Sequence, residues 1–375
     1  MKRANQRDPQ QTLRILYSEA ATGFGGQEHR IYKEMLAMRD KGHHVAMVCR
    51  PQARLVKLLQ EQGVVVHTVQ MGGMKNFLQS LQTIRQLLKQ GQYDVLMCNS
   101  RKDTMIAALA GRLARTPLIV RTRHLASPIG SLLSYTGLPH CVIAVSDYVR
   151  QMVLDKGVPE DKVATIYTLE QNLHPPTSSN LRQELGLTEQ ACIAICVAVM
   201  REKKGHLPLL QAMLPLFKQQ PDLHLVIAGS GSPVFERVQA FVQQHDLSAQ
   251  VHLLGYRSDV PNLLAGADFF VLATELEAAG MVYVEAQLAG LPVIGTAVGG
   301  VPEMFADGVG GVLVPLGDEE LLRKAITQFS QNKSFCQTMG QAGRAWVLAQ
   351  NKFTPNAVTE NLTRTLNDWL SKRHR

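Results

Sequence analysis

The sequence predicts an α/β protein of two tandem domains, each an open parallel sheet with helices on both faces. Three observations predict it. The chain has 375 residues, more than one hydrophobic core usually organises. Short apolar, β-branched runs alternate with amphipathic helical periodicity along its length. The alternation pauses once, at His-Pro-Pro-Thr-Ser-Ser-Asn over 174–180, a stretch that cannot continue a helix and reads as a linker.

The first series of strands is predicted at 13–17, 45–48, 64–69, 95–98, 118–120 and 141–145. Between them lie helical spacings such as Phe77, Leu81, Ile84 and Leu88. After the linker a second series follows at 193–199, 223–228, 251–254, 269–272, 292–295 and 312–314. The predicted domains are therefore 1–173 and 181–354, with a last amphipathic helix at about 355–375 completing the first. That helix ends in Ser-Lys-Arg-His-Arg, read as a solvated tail or, alternatively, as a contact with a membrane surface. Open parallel sheets leave their ligand crevices at the carboxyl ends of the strands, so two such sheets facing each other can enclose one substrate.

Composition sets further bounds. Hydrophobic residues make up 45% and charged residues 19%, ordinary globular values without low-complexity tracts. The longest apolar stretch, 191–200, is half of what a bilayer span needs, and the first ten residues lack an apolar signal core. A cytoplasmic chain is expected. The six cysteines, at 49, 98, 141, 192, 196 and 336, fall mostly in apolar runs and read as free buried thiols. Cys192 and Cys196 share a strand face but have no histidine nearby, so no metal site is expected. The net charge of +8 favours anionic partners. Phosphate-bearing substrates or an anionic membrane surface account for it; nucleic acid is not expected, because no base-reading motif is present.

The most informative stretch runs from Thr274 to Pro292, directly after the strand at 269–272. Gly290 and Pro292 close a helix that opens near Gly280, at the strand's carboxyl end. The free amides of Gly280, Met281 and Val282 and the helix dipole then favour a pyrophosphate or sugar hydroxyls. Glu277 precedes those amides, and Glu285 lies about 8 Å further along the axis. Carboxylates suit vicinal hydroxyls because each accepts two hydrogen bonds. A solvent-facing glutamate pair is the other reading of the same spacing.

The segment 275–303, with Glu277 and Glu285 in an E-x7-E arrangement, resembles the signature of glycosyltransferase family 4, a large retaining family of GT-B fold. The likeness continues in Ala-Asp-Phe-Phe-Val-Leu-Ala-Thr at 267–274, the Gly-Gly-Val-Pro-Glu turn at 299–303, and the glycine-rich run 307–318. It implies two Rossmann-like domains facing across a cleft. It also implies that Glu277 contacts the donor sugar, Glu285 the ribose, and the amides of Gly280 to Val282 the sugar and phosphate. Upstream, Arg201 and Lys204 in Arg-Glu-Lys-Lys-Gly-His follow a buried strand, where cations can neutralise a diphosphate leaving group. This resembles the family's R-x4-K motif, with Val199 at the usual arginine position and Arg201 as the nearest substitute. A pair of surface cations is the alternative.

Near the amino terminus, Gly23-Phe-Gly-Gly-Gln-Glu28 followed by a helix resembles the family's GG-x-E loop, which brings Gly25 and Gly26 to the donor phosphates. His124 ends the strand at 118–120 and matches a catalytic-site histidine by motif position, although Leu125 stands where the family usually has Asp. A structural histidine is the other reading. Arg101, Lys102, Arg121 and Arg123 are candidates to meet an anionic acceptor, or are solvated cations. The resemblance puts Gly231 near the phosphates and Tyr256 and Arg257 near the base, while Asp259 before Val260-Pro261 reads as a helix cap.

The implied activity is retaining transfer of a hexose from a UDP- or GDP-linked donor to a glycan or lipid-linked acceptor. Bacterial surface polysaccharide or lipopolysaccharide synthesis on the inner face of the plasma membrane is the implied setting. No cofactor or metal is expected, and the chain has no Asp-x-Asp motif. The rivals are a sugar-nucleotide epimerase or phosphorylase of the same fold, and a non-enzymatic basic protein that binds nucleic acid or membrane.

Overall fold

The computed structural model describes residues 11–71 and 74–373, and its chain divides into two compact units. One unit runs to Gln171 and resumes at Lys352; the other is Asn172–Asn351. Met1 to Gln10, His374 and Arg375, and with them part of the basic tail, lie outside the described residues.

The first unit holds β1 (Arg14–Glu19), β2 (His44–Cys49), β3 (Val65–Thr68), β4 (Val95–Cys98), β5 (Leu118–Arg123), β6 (Cys141–Ala144) and β7 (Val163–Thr165). They form one parallel sheet in the order β3-β2-β1-β4-β5-β6-β7. Alternate residues feed two separate cores. Ile15, Tyr17, Met47, Met97, Val120 and Ile143 face one side, while Leu16, Ala46, Leu96, Cys98 and Ile119 face the other. A strand covered on both faces has no polar alternation, which is why the sequence shows continuous apolar runs.

The helix Pro355–Arg373 returns to this unit. Its Leu362, Leu366, Trp369 and Leu370 join the core that holds Ile31, Met35 and Met38 of the helix Gly26–Asp40. Each such buried aliphatic side chain contributes roughly 1.5–3 kcal/mol relative to exposure. Polar ties fix the register: His43 Nε2 lies 3.0 Å from Thr363 Oγ1, and Trp369 donates to the Asp161 carbonyl at 3.2 Å.

Two strands of this unit differ most from the sequence reading. β7 has only three residues, Val-Ala-Thr, too short to register as a periodic run. β5 continues three residues past the apolar run through Arg121, Thr122 and Arg123, all buried despite their polarity.

The second unit holds β8 (Cys192–Val197), β9 (Leu223–Ala228), β10 (Val251–Gly255), β11 (Phe269–Leu272), β12 (Val293–Thr296) and β13 (Gly311–Val314). The order is β10-β9-β8-β11-β12-β13, again parallel. Phe269 packs edge-on against Phe329, and Phe270 edge-on against Tyr283 of the helix Met281–Leu288. β8 ends at Val197, two residues short of the apolar run, and Val199 is exposed. All six cysteines are free, and burial pushes the thiols of Cys49, Cys141, Cys192, Cys196 and Cys336 up to about 12. Among the described residues, no helix is long and apolar enough to cross a membrane.

Strand order reverses between β1 and β4 in the first sheet, and between β8 and β11 in the second. Loops that leave such a pair run to opposite sides, so a crevice opens at the carboxyl ends of these strands. The polar clusters described next sit there.

Candidate active site

In the second unit, the loop after β8 and the loop after β11 are knitted together at the switch point. The Glu275 amide donates to the Lys203 carbonyl at 2.8 Å, and Thr274 Oγ1 donates to the same oxygen at 2.9 Å. Gly205 turns this loop into the helix His206–Gln219 with φ +67°, and a Cβ there would overlap the Ala273 carbonyl oxygen. Only glycine meets both conditions. The neighbouring loop after β9 joins the rim through Met200, whose amide donates to the Ser230 carbonyl at 3.0 Å beside Gly231.

That turn delivers Lys204 to Glu277. The Lys204 ammonium forms a direct ion pair with the Glu277 carboxylate, both side chains mostly buried at 24% and 15% exposure. The other Glu277 oxygen accepts from the Ala278 amide at 3.1 Å. Gly280 then opens the helix Met281–Leu288 in a left-handed conformation, φ +90°, where a Cβ would press on the Tyr283 ring and the Glu277 side chain. Tyr283 is itself pinned, its hydroxyl donating to the Leu272 carbonyl at 2.8 Å. The amides of Met281 and Val282 belong to the first turn, which has no intrahelical acceptors. Glu285 lies one turn on, half-buried, while Arg201 is exposed at the start of the same loop as Lys204. Lys204, Glu277, Gly280, Met281, Val282 and Glu285 thus lie on the two loop-helix junctions of one switch point.

Arg257 is more committed than its sequence position suggests. Its guanidinium spans the Glu184 carboxylate and Asp259, reaching both Asp259 oxygens at 2.7 Å. Asp259 therefore corrects the cap reading. It occupies the N-cap position of the helix Val260–Ala265, yet its carboxylate takes Arg257 and the Asn262 side-chain amide at 2.9 Å instead of a helix amide. The hydrogen bonds with Arg257 hold its carboxyl below the usual range. Tyr256, next to this clamp, exposes 57% of its surface.

The first unit carries a second cluster at its own switch point. His124 Nε2 lies 3.0 Å from Asn99 Oδ1, and Asn99 Nδ2 donates to the Ser18 carbonyl at 3.1 Å. Asp103 sits beneath, fully buried, accepting from Ser18 Oγ at 2.5 Å, from the Asn99 amide at 2.9 Å and from the Ser100 amide at 2.6 Å. Burial, then the positive charges of Arg30, Arg121 and Arg123, holds His124 well below the ordinary imidazole range, so the ring is neutral at physiological pH. Ser18, Glu19, Asn99 and Asp103 carry no motif. Their only sequence signal is that each lies at or just beyond the carboxyl end of β1 or β4.

The basic residues of this region divide. Arg101 and Lys102 are exposed at the start of a short helix capped by Ser100. Arg121 and Arg123 are not solvated cations: Arg121 points to Asp103 at 3.9 Å and donates to Thr104 Oγ1, and Arg123 donates to the Ser127 carbonyl. Both sit near the Tyr135 ring, with guanidinium carbons 5.9 and 6.0 Å from its centroid. Gly25 and Gly26 lead into the helix Gly26–Asp40, and Glu28 caps it by accepting from the Gly25 amide at 2.8 Å. A Cβ on Gly26 would meet no neighbour within 4 Å, so space lies open above this backbone.

Glu19 shapes the same loop, accepting from the Ala21 amide at 2.7 Å and from the Gln27 side chain at 2.5 Å. Burial, reinforced by Asp103, pushes its carboxyl up from an ordinary 4.5 to about 7. A raised acid binds its proton more tightly when folded, so the stability it contributes is full below about 4.5 and is lost as pH rises to about 7. Glu19→Gln is expected to remove that loss. Relative to the parent chain, its unfolding free energy should gain up to about 3 kcal/mol between pH 4.5 and pH 8 in urea titrations. Parallel pH profiles for the two chains would overturn the assignment.

The segment Ile166 to Gln171, at the end of this stretch of the first unit, has a structural role. Arg30 donates to the Ile166 carbonyl at 2.8 Å and to Thr168 Oγ1 at 3.0 Å. Lys33 pairs with Glu170 at 2.6 Å, and the Glu170 amide donates to the Phe353 carbonyl at 2.7 Å. The helix that begins at Gly26 is thereby tied to both stretches where the chain leaves and re-enters this unit.

Residues 24–168 match the family described as Glycosyltransferase Family 4, and residues 177–346 match that described as Glycosyl transferases group 1. The chain belongs to glycosyltransferase family 4. Relatives of this family 4 chain include the putative glycosyltransferase EpsD of Bacillus subtilis, 28% identical over 295 residues, 72% of this chain and 77% of EpsD. Lipopolysaccharide glucosyltransferase WaaG of Escherichia coli is 32% identical over 160 residues, covering 41% of this chain and 42% of WaaG. Among solved structures, Anabaena HepE in complex with UDP and glucose superposes with a TM-score of 0.83 at 22% identity, over 94% of this chain and 99% of that one. The family 4 chain accordingly has the GT-B fold of two Rossmann-like domains.

Proposed function

We propose that this chain is a retaining, metal-independent hexosyltransferase that takes a sugar from a UDP- or GDP-linked donor and passes it to a glycan or lipid-linked acceptor. The observation that carries the reading is the Lys204–Glu277 pair at the β8/β11 switch point, beside the first-turn amides of Met281 and Val282. A cation, a carboxylate and first-turn amides in one crevice match a nucleotide sugar: the cation and amides suit its diphosphate oxygens, and the carboxylate its sugar hydroxyls. Support also comes from UDP and glucose bound to HepE, and from the lipopolysaccharide substrate in the name of WaaG.

In this reading, Glu277 accepts from donor-sugar hydroxyls and Glu285 from the ribose. Gly231 lines the phosphate side and Tyr256, steadied by the neighbouring Arg257 clamp, lies by the base. Lys204 and Arg201 stabilise the diphosphate as it departs, which is the work a divalent metal performs in other transferases. In the first unit, His124 is assigned to sugar hydroxyls and the Gly25-Gly26 loop to donor phosphates, and the acceptor hydroxyl attacks from the face the diphosphate leaves. Arg101 and Lys102 are the exposed cations suited to an anionic acceptor. The net charge of +8 suits a cytoplasmic enzyme working at an anionic inner membrane surface on surface-polysaccharide or lipopolysaccharide precursors.

A thermal-shift panel of nucleotide sugars tests the donor assignment. One donor at 100 times its Kd is expected to stabilise the chain by about 2.7 kcal/mol. Glu285→Ala should weaken that donor about 10- to 100-fold, the loss of a charged hydrogen bond. A flat panel rejects the donor assignment. Incubation without acceptor separates the rivals, since conversion of the donor to an epimer, or its consumption only with free phosphate, would replace the transferase reading.

A further inference from the structure

Asn99 is buried where β4 meets β1, and its side-chain amide and backbone N–H have defined partners. Its Nδ2 donates to the Ser18 carbonyl at 3.1 Å, which orients the side-chain amide and leaves Oδ1 as the end facing His124. Its backbone amide donates to Asp103 Oδ2 at 2.9 Å, and Asp103 is held in turn by Ser18, Ser100 and Arg121. An amide oxygen only accepts. The atom opposite it, His124 Nε2 at 3.0 Å, must therefore carry the ring's proton.

We propose that Asn99 is a positioning residue that holds His124 as the Nε2-H tautomer, so that Nδ1 meets the substrate only as a hydrogen-bond acceptor from a sugar hydroxyl. The inference rests on the transferase reading for its substrate, but the tautomer itself does not. The charged groups around the ring agree with a neutral imidazole: Arg30 from the helix Gly26–Asp40 and Arg121 and Arg123 from β5 all oppose its protonation. Asp103, the nearby acid, is engaged with Arg121 and the Ser18 and Ser100 hydroxyls. Leu125, the residue after His124, supplies no carboxylate to the ring, and Asn99 supplies the fixing contact. A neutral acceptor tautomer selects a hydroxyl that donates, and it cannot act as a general acid.

The test uses the full-length chain labelled with ¹⁵N-histidine. Long-range ¹H–¹⁵N spectra report each ring's tautomer, and the His124 signal is the one lost in His124→Gln. The expected result is the Nε2-H form between pH 6 and pH 8 without any ligand. An Nδ1-H form or an imidazolium in that range overturns the proposal, whatever the enzyme's activity. In Asn99→Asp, a carboxylate replaces the amide, and the His124 titration should move up into the measured range. The pH profile of kcat should then gain an acidic limb, with kcat down about tenfold or more at pH 6 and the donor KM changed less. Asn99→Asp with an unshifted His124 titration also counts against the proposal, and if that variant does not fold, the tautomer of the parent chain still decides. A correct tautomer in a chain that transfers no sugar would reject the transferase reading alone.

Discussion

Lys204→Ala is expected to lower kcat for sugar transfer by about 10²- to 10³-fold, the loss typical when one preorganised group that stabilises developing charge is removed. The Lys204 ammonium is the cation paired with Glu277 at the β8/β11 switch point. Its loss removes positive charge where a diphosphate would depart and leaves the Glu277 carboxylate without its counterion, facing an incoming polyanion. The fold should survive, because the loop is held by backbone and hydroxyl bonds from Glu275 and Thr274 to the Lys203 carbonyl. Steady-state kinetics beside a thermal melt checks both halves. Activity within about twofold of the parent chain would sink the assignment.

Gly205→Ala should be the more damaging change for the whole second unit. Its backbone sits at φ +67°, and the added methyl would overlap the Ala273 carbonyl oxygen, an atom of the main chain that has no rotamer in which to retreat. A left-handed non-glycine residue alone costs roughly 1–3 kcal/mol, and separating two packed loops adds to it. A destabilisation above about 3 kcal/mol in urea unfolding is expected. Because the same turn aims Lys204, transfer should fall as well. A loss under about 1 kcal/mol would show that the loop pair tolerates separation.

The fold was legible because its strands are covered on both faces and so appear as unbroken apolar runs; β4, β9 and β11 need no adjustment. What escaped was short or polar. β7 has three residues, and the end of β5 is Arg-Thr-Arg, buried by pairing with Asp103, Thr104 and Ser127 that no linear pattern reveals. Lys204, Glu277 and Glu285 were legible as site candidates because two loop-helix junctions carry them in compact, spaced segments. Of the Ser18, Asn99, Asp103 and His124 network, only His124 was. Its members come from three strand ends up to 106 residues apart, between Ser18 and His124, and only the strand order brings them together. Asp259 misled for a related reason: an Asp before a helix suits a cap, but an arginine two residues away competes for the same oxygens and wins by charge.

The Lys204–Glu277 pair has one more consequence. With its ammonium already paired, Lys204 exerts little pull on monovalent anions, whose binding would not offset the breaking of a partly buried pair. A ligand bearing a diphosphate next to hydroxyls can satisfy both halves at once, offering anionic oxygens to the lysine and donors to the glutamate. In the proposed reading, the resting contact therefore favours molecules in which both chemistries are joined over anions or nucleosides that carry only one of them.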